Sequence, residues 1–200
     1  MKDKKDIYVY KIKDALYVNF TNKCTNRCNF CIRNTNNGIA GFELWLDKEP
    51  TAEEIIAEAE KFTGLKKMVM CGFGEPMIKI DELVKVAKYF KEKGFYIRVN
   101  TNGQANAYHG RDVTKDIAGI VDNVSVSMNA PTAAEYQKIC NSIYGEEAFD
   151  HMIDFAKKCI EKGIQVTFSV VDVIGKENID KCEKIAKEVG ARFRVRPYIK

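Results

Sequence analysis

The feature that most constrains the fold is a repeated alternation of apolar, strand-like segments with amphipathic, helix-like ones. Three helix-like segments end at a glycine, and a strand-like segment begins directly afterwards, at Gly94, Gly163 and Gly190. Glycine ends helices readily because it adopts the left-handed conformation without a steric penalty. A succession of strand–helix units is typical of a parallel sheet covered by helices. The sequence therefore predicts an α/β protein.

Six main strands are predicted after a short leading strand over residues 6–13. They cover residues 15–21, 67–71, 95–101, 123–127, 165–171 and 192–196. Helices are predicted from Thr51 to Phe62 and over residues 79–93, 112–119, 132–140, 146–162 and 177–189. Eight units of this kind close a barrel in about 250 residues. With six main strands in 200 residues, we expect an open three-quarter (β/α)6 barrel that forms one domain over residues 1–200.

Glycines and polar residues follow every predicted main strand. Because the active sites of such sheets lie at the carboxyl ends of the strands, this is where a site is expected. Any one of these segments alone could be an ordinary turn, but six of them on one rim predict a functional site. They are Cys24 to Cys31 and residues 72–76, 100–103, 127–131, 172–177 and 194–198.

Three of the seven cysteines, Cys24, Cys28 and Cys31, are spaced C-x3-C-x2-C in one loop. Thiolates bind iron–sulfur clusters and zinc. A closed site needs four protein ligands, and no fourth cysteine or histidine lies near in sequence. Three cysteines on a four-iron cluster would leave one iron open for chemistry. A zinc-binding module or an iron–sulfur electron-transfer module remains the alternative.

The cysteine count also bears on the compartment. Seven is an odd number, and the spacing is uneven, so we expect a reducing, cytoplasmic environment. We expect no membrane span, because no run of eighteen apolar residues occurs, and no secretory signal. The formal charge of +4 does not indicate a nucleic-acid partner. The other cysteines are interpreted as small buried apolar residues; they are Cys71, Cys140, Cys159 and Cys182.

The cysteine spacing, with the aromatic Phe30 directly before the third cysteine, resembles the signature of the radical S-adenosylmethionine (SAM) superfamily. The resemblance implies a [4Fe–4S] cluster on Cys24, Cys28 and Cys31, with SAM on the fourth iron. It implies reductive cleavage of SAM to a 5′-deoxyadenosyl radical that takes hydrogen from an unknown substrate. The electron would come from an external flavodoxin- or ferredoxin-like donor.

The same resemblance suggests which residues contact SAM. Gly72, Gly74 and Glu75 resemble the Gly-Gly-Glu-Pro element that holds the ammonium of SAM, although Phe73 stands where the commoner form has glycine. Glycine permits close approach of backbone to a ligand, and a carboxylate complements a cation. Further candidates fall on later strands and around the adenine; they are Asn102, Ser127, Asn129, Ile174, Gly175, Phe30 and Arg196. Arg33, Asn34 and Arg196 are also candidates for binding a carboxylate or an anionic substrate.

Within the superfamily, the chain is most similar to the small radical SAM proteins associated with TatD-family hydrolases. This likeness implies a TatD-like hydrolase or a macromolecular substrate at the open barrel face. Glycyl-radical-enzyme activating proteins have the same cysteine spacing, but they tend to carry Asp-x-Lys where this chain has Ser127-Met128-Asn129. The irregular residues 34–50, which contain Trp45, are interpreted either as a substrate lid or as a packed hydrophobic flap.

Overall fold

The computed structural model describes residues 6–34 and 39–198 and contains one sheet of seven strands. The strands lie in the sheet in the order in which they occur in the chain. β1 pairs with β2 in the antiparallel direction, and every later pair is parallel. The predicted open α/β sheet is confirmed, and the leading strand forms its antiparallel edge. The strands are β1 Val9–Ile12, β2 Ala15–Asn19, β3 Lys67–Cys71, β4 Tyr96–Thr101, β5 Asn123–Ser127, β6 Gln165–Val171 and β7 Arg192–Arg196.

Helices cross between successive parallel strands, as the alternation in sequence predicts. Those within the described residues are α1 Ala52–Ala59, α2 Ile80–Glu92, α3 Ala105–His109, α4 Thr114–Ile117, α5 Ala133–Cys140, α6 Glu147–Glu161 and α7 Lys176–Val189. The short helix α3 was not predicted, because its five residues show no apolar period. Among the described helices, none has the length and hydrophobicity required to span a bilayer.

The sheet has an outer face, which is packed under the helices, and an inner face, which is not. In β4, Ile97 and Val99 are fully buried in the main core with Leu83 and Phe90 of α2. Arg98, between them, is half-buried and points to the other side, as the period of two in a strand requires. The outer face therefore supplies the main core, whereas the inner face carries polar side chains on β4 and β5 and smaller apolar clusters on β1 to β3.

Residues 39–50 of the predicted lid or flap pack against the antiparallel edge of the sheet. Leu44 is fully buried with Tyr10 and Phe73. The amide nitrogen Nδ2 of the buried Asn19 donates a 2.7 Å hydrogen bond to the carbonyl of Leu44. Residues 35–38 lie outside the described residues. The described part has the contacts of a packed flap, whereas its role as a substrate lid stays a prediction.

Candidate functional site

The cysteine loop follows β2 and rests on the end of α5. The backbone N–H groups of Arg27 and Asn29 donate to the carbonyls of Cys140 and Ile139, at 2.9 Å and 3.0 Å. Cys28, between these two donors, is consequently held against α5. Cys24, Cys28 and Cys31 are free thiols and are each half-buried. Backbone pairing with a helix more than a hundred residues away thus fixes the shape of the loop.

A buried polar network behind the loop has Gln104 at its centre. Gln104 Oε1 accepts hydrogen bonds from the hydroxyls of Thr25 and Ser142, at 2.8 Å and 3.0 Å. Gln104 Nε2 donates to Asn26 Oδ1 at 2.9 Å and to the Tyr136 hydroxyl at 3.0 Å. Asn26 Nδ2 also donates to the Tyr136 hydroxyl, at 3.0 Å. The sequence analysis missed this network, whose members are far apart in the chain.

The glycine segment after β3 packs directly against the start of the cysteine loop. A Cβ atom on Gly74 would lie 2.3 Å from the carbonyl oxygen of Thr21 and 2.5 Å from that of Lys23. The N–H of Glu75 donates a 2.8 Å hydrogen bond to the same Lys23 carbonyl. Gly72 has a φ of 117°, which L residues rarely adopt. Glycine at both positions is therefore a requirement of this packing.

The Glu75 carboxylate is buried beside the loop. It accepts hydrogen bonds from the N–H of Asn102 at 2.7 Å, from the Thr101 hydroxyl at 2.8 Å and from the N–H of Met77 at 3.2 Å. Burial raises the pKa of Glu75 to about 7, although these hydrogen bonds lower it. A buried carboxylate surrounded by neutral donors is well suited to bind a cation, which would favour its ionised form.

The three thiols have raised pKa values. Burial raises the pKa of Cys24 to about 12 and also raises that of Cys31. The pKa of Cys28 is raised first by a hydrogen bond with the Cys140 thiol and next by burial. Since metals bind thiolates, loading this loop with metal must release protons. Cys140, which was interpreted as a packing residue, is buried as expected but also contacts one cysteine of the loop.

Several other predicted residues lie at or near the cysteine loop. Asn102 Nδ2 is 3.9 Å from Cys24 Sγ and donates a 2.7 Å hydrogen bond to the Thr25 hydroxyl. Asn129 has a φ of 54° and is buried; its Nδ2 lies 4.0 Å from Cys140 Sγ, and its Oδ1 has no described partner. A buried carbonyl oxygen without a donor is unusual in proteins, and it fits a bound ligand that supplies the donor.

The remaining predicted residues have few described contacts, and the hydrogen bonds among them are long. Ser127 Oγ accepts a long, 3.5 Å hydrogen bond from Arg196 Nη2. Phe30, within the cysteine loop, and Ile174 are half-buried, and Gly175 is exposed where α7 begins. Arg33 donates to the carbonyls of Asn22 and Asn26, at 3.5 Å and 3.3 Å, and Asn34 donates to the carbonyl of Cys28 at 3.3 Å. The last two side chains therefore bond the loop to itself.

The donor set fits an iron–sulfur cluster better than a single ion. Within residues 6–34 and 39–198, no three His, Cys, Asp or Glu side chains are arranged to hold one metal ion. A single zinc requires its ligands to meet at one point. The cysteines of a cluster bind different irons and need only surround it. The three half-buried thiols lie on one anchored loop and are therefore candidate ligands of such a cluster.

Comparison with known proteins identifies the family. A family model described as the radical SAM superfamily matches residues 18–189. A tungsten-containing aldehyde ferredoxin oxidoreductase cofactor-modifying protein of Pyrococcus furiosus is 26% identical over an alignment of 184 residues that covers 86% of this chain and 47% of that protein. A putative glycyl-radical enzyme activating enzyme of Methanocaldococcus jannaschii is 26% identical over 180 residues, covering 88% of this chain and 70% of the relative. The chain thus spans about half to two thirds of these relatives.

Solved structures give the same fold at lower sequence identity. Streptococcus suis SuiB bound to S-adenosylmethionine superposes with a TM-score of 0.68 and 16% identity, over 92% of this chain and 42% of SuiB. The FeFe-hydrogenase maturase HydG from Carboxydothermus hydrogenoformans superposes with a TM-score of 0.65 and 16% identity, over 93% of this chain and 44% of HydG. At these identities the likeness supports the fold alone, and it agrees with the predicted open, partial barrel.

Proposed function

The chain belongs to the radical SAM superfamily, and we propose from this membership that its cysteine loop holds a [4Fe–4S] cluster used to cleave SAM. Enzymes of this family use such a cluster together with SAM. When bound, the two supply a 5′-deoxyadenosyl radical that takes a hydrogen atom from an unreactive carbon of the substrate. Three free, half-buried thiols on one anchored loop carry the proposal.

The chain's own residues would bind and orient these groups. Cys24, Cys28 and Cys31 would hold the cluster, and Glu75 with the backbone at Gly72 and Gly74 would receive the ammonium of SAM. The contacts support this assignment: Glu75 bonds the N–H of Asn102, whose amide lies 3.9 Å from Cys24 Sγ. A cation at this point would be paired with a buried carboxylate, which strengthens the interaction relative to water.

The rest of SAM would be held by residues from later strands. Asn102, Ser127 and Asn129 would hydrogen-bond its ribose or carboxylate. The unpaired Oδ1 of Asn129 supports this role for that residue. Phe30, Ile174 and Gly175 would pack on the adenine, an apolar surface that backbone hydrogen bonds can fix in orientation.

Anaerobic reconstitution with iron and sulfide tests the proposal. We expect about four iron and four sulfide per chain and, with SAM and dithionite, formation of 5′-deoxyadenosine. Cys31→Ala should lose the product and most of the iron, while Cys159→Ala, which changes a fully buried cysteine of the main core, should keep both. One zinc per chain, with no product from a folded protein, would establish the zinc-binding alternative instead.

We further propose that the substrate is a partner protein. Two relatives from Methanocaldococcus jannaschii are named putative glycyl-radical enzyme activating enzymes, at 26% and 25% identity. Ser127-Met128-Asn129 departs, however, from the Asp-x-Lys of most activating proteins. A TatD-like hydrolase is therefore the second candidate partner, because the whole chain resembles the radical SAM proteins associated with TatD-family hydrolases. In either case the external one-electron donor would be flavodoxin- or ferredoxin-like.

Deuterium transfer distinguishes protein substrates from small ones. Cells grown in deuterated medium are lysed anaerobically, and the extract is separated by size into a protein and a small-molecule fraction. Each fraction is incubated with the reconstituted enzyme, SAM and reductant, and 5′-deoxyadenosine is analysed by mass spectrometry. We expect deuterium in the product with the protein fraction. Deuterium only with the small-molecule fraction would refute a protein substrate.

A further inference from the structure

The inner face of the sheet carries a group of arginines beneath the candidate SAM site. In β4 and β5, core residues alternate with polar residues that lie on the opposite, inner face. In β7, Phe193 packs against the core, and the arginines on either side of it alternate with it. Polar residues of this inner face include Arg98, Asn100, Ser125, Ser127, Arg194 and Arg196. Arg98, Asn100, Ser125, Ser127 and Arg196 are half-buried, and Arg194 is exposed. The face therefore combines a concentration of positive charge with access from solvent.

The positive charge of this face is not balanced by the part of the chain that the structure describes. No described carboxylate forms an ion pair with Arg98, Arg194 or Arg196. Burial, and next the charges of Arg194 and Arg98, lower the pKa of Arg196. The guanidinium nevertheless remains protonated. The like charges of Arg98 on β4 and of Arg194 and Arg196 on β7 repel one another across the inner face, so they destabilise the fold.

Hydrogen-bonding groups on this face are also unpaired. The Nε atoms of Arg98 and Arg196 and the Oδ1 atom of Asn100 are buried without a described partner. The described contact of the Arg196 guanidinium is the 3.5 Å hydrogen bond to Ser127 Oγ. Buried charged donors left without acceptors are costly, and native structures rarely contain them without a functional reason. An anion bound between these side chains would supply the acceptors and balance the charge.

We propose that the inner face binds an anionic oxygen group of the substrate, a carboxylate or a phosphate, through Arg98, Arg194 and Arg196. Arginine suits either group, because its planar fork donates two parallel hydrogen bonds. Asn100 on β4 and Ser125 on β5 add neutral polar groups to the same face. This assignment rests on the proposed function, in which a radical formed at the rim reaches a substrate held on the inner face.

The depth of Arg98 distinguishes the lower end of this site from the one proposed for SAM, whereas Arg196 meets the SAM site at Ser127. Asn102, whose amide lies 3.9 Å from Cys24 Sγ, follows Arg98 by four residues along β4 and its end. At about 3.3 Å per residue, the backbone of Arg98 is roughly 13 Å further into the barrel. Its neighbours across the sheet are Val69 and Asn123, at the middle and the start of their strands. An anion bound by Arg98 would therefore lie below the cluster.

The test measures anion binding directly. Inorganic phosphate and succinate are titrated calorimetrically into the full, reconstituted chain, with and without SAM. We expect at least one of the two to bind the unmodified protein, and the one that binds identifies the group as phosphate or carboxylate. Arg98→Gln and Arg196→Gln should each weaken its Kd by about ten- to hundredfold. The control is Arg111→Gln, whose guanidinium pairs with Asp116 at 2.5 Å, away from the inner face; its Kd should match that of the unmodified chain.

A second measurement distinguishes binding from a structural role. If the arginines serve a ligand, Arg98→Gln should unfold at the same temperature as the unmodified chain or higher, because an unbalanced buried charge has been removed. A lower unfolding temperature together with an unchanged Kd would show that Arg98 is structural and would overturn the proposal. Arg98→Lys, which keeps the charge but not the fork, should still lose most of the affinity.

The remaining outcomes separate this inference from the proposed function. Formation of 5′-deoxyadenosine by a chain that binds neither anion would overturn the inference alone. Arginine-dependent anion binding by a chain that makes no 5′-deoxyadenosine would support the inference and contradict the proposed function. If SAM abolishes anion binding, the arginines hold the carboxylate of SAM itself, and the inference is wrong.

Discussion

The carboxylate of Glu75 accepts a 2.7 Å hydrogen bond from the backbone N–H of Asn102. This contact joins the turn after β3 to the end of β4, at the rim where the cysteine loop lies. Glu75 is buried, and its described partners are neutral donors. The candidate cation-binding group of the site is therefore in place before any ligand arrives, and holding it there should affect stability in a manner that depends on pH.

The first prediction concerns that dependence in the cluster-free protein. Burial raises the pKa of Glu75 from 4.5 to about 7. Below pH 4.5 the carboxyl is protonated in both states, and between pH 4.5 and 7 only the folded state keeps the proton. The contribution of Glu75 to the free energy of unfolding should thus fall by roughly 3 kcal/mol across this window and stay constant above it. Urea unfolding at a series of pH values, with and without Glu75→Gln, measures the difference.

The matched control is Glu188→Gln, at an exposed position of α7. This substitution should leave the pH profile of unfolding unchanged. If Glu75→Gln also preserves the profile of the unmodified chain, then Glu75 has an ordinary pKa, and water reaches the carboxylate in solution.

The second prediction concerns Gly74. A Cβ atom here would meet two backbone carbonyls, of Thr21 and Lys23, which cannot move without displacing the cysteine loop. We expect Gly74→Ala to lower the free energy of unfolding by about 3 kcal/mol or more and to reduce the iron bound after reconstitution. Gly119→Ala is the control: it places alanine at a φ of 77° in open space and should cost only about 1–2 kcal/mol, with normal iron content. Equal losses from the two variants would mean that the loop accommodates the methyl group.

Much of the architecture could be predicted because it follows from local pattern. The bounds of β3, β5, β6 and β7 agree with the prediction, since each is a short apolar or alternating run between turn residues. The helix α3 was not predicted because it is one turn long and has no apolar stripe. It ends at Gly110, which has a φ of 62°. Its position matters, because it begins directly after Gln104.

The polar network could not be predicted for a different reason. Gln104, Asn26 and Tyr136 come from three segments, and the Asn26–Tyr136 pair is separated by 110 positions in sequence. Nothing local distinguishes a buried glutamine from an exposed one such as Gln165. The cysteines and Glu75 were predicted as site residues because their spacing resembles a known motif, whereas the residues that fix their geometry have no such motif.

The third prediction tests that network. Gln104→Leu removes an acceptor for Thr25 and Ser142 and a donor for Asn26 and Tyr136, which leaves buried polar groups without partners. Since each such group costs about 1–3 kcal/mol, the free energy of unfolding should fall by about 3 kcal/mol or more. The reconstituted variant should also lose iron to a chelator faster, because Thr25 and Asn26 lie within the cysteine loop.

Gln165→Leu, at an exposed position of β6, provides the comparison and should change stability by about 0.5 kcal/mol or less. A stable Gln104→Leu protein that retains iron normally would show that the backbone bonds to Ile139 and Cys140 suffice to shape the loop.

The fourth prediction uses the single tryptophan of the chain as a reporter for residues 39–50. Trp45 is 40% exposed and packs edge-on against Phe73, with ring centroids 5.2 Å apart. The flap is bonded to the sheet by Asn19, through the 2.7 Å hydrogen bond to the carbonyl of Leu44. Asn19→Ala removes that bond and leaves the carbonyl without this donor. We therefore expect stronger acrylamide quenching and a red-shifted emission of Trp45.

Asn178→Ala, which removes a side chain of α7 distant in sequence from the flap, should leave the emission of Trp45 unchanged. If Asn19→Ala reduces stability but does not alter quenching, the flap is held by its other contacts. These are the apolar contacts of Leu44 with Tyr10 and Phe73 and the two hydrogen bonds between Asn22 and the backbone of Leu46. The distinction bears on the lid hypothesis. A flap released by the loss of one hydrogen bond has the low opening cost that a substrate gate requires, whereas one held by its apolar contacts is a fixed wall beside the glycine segment.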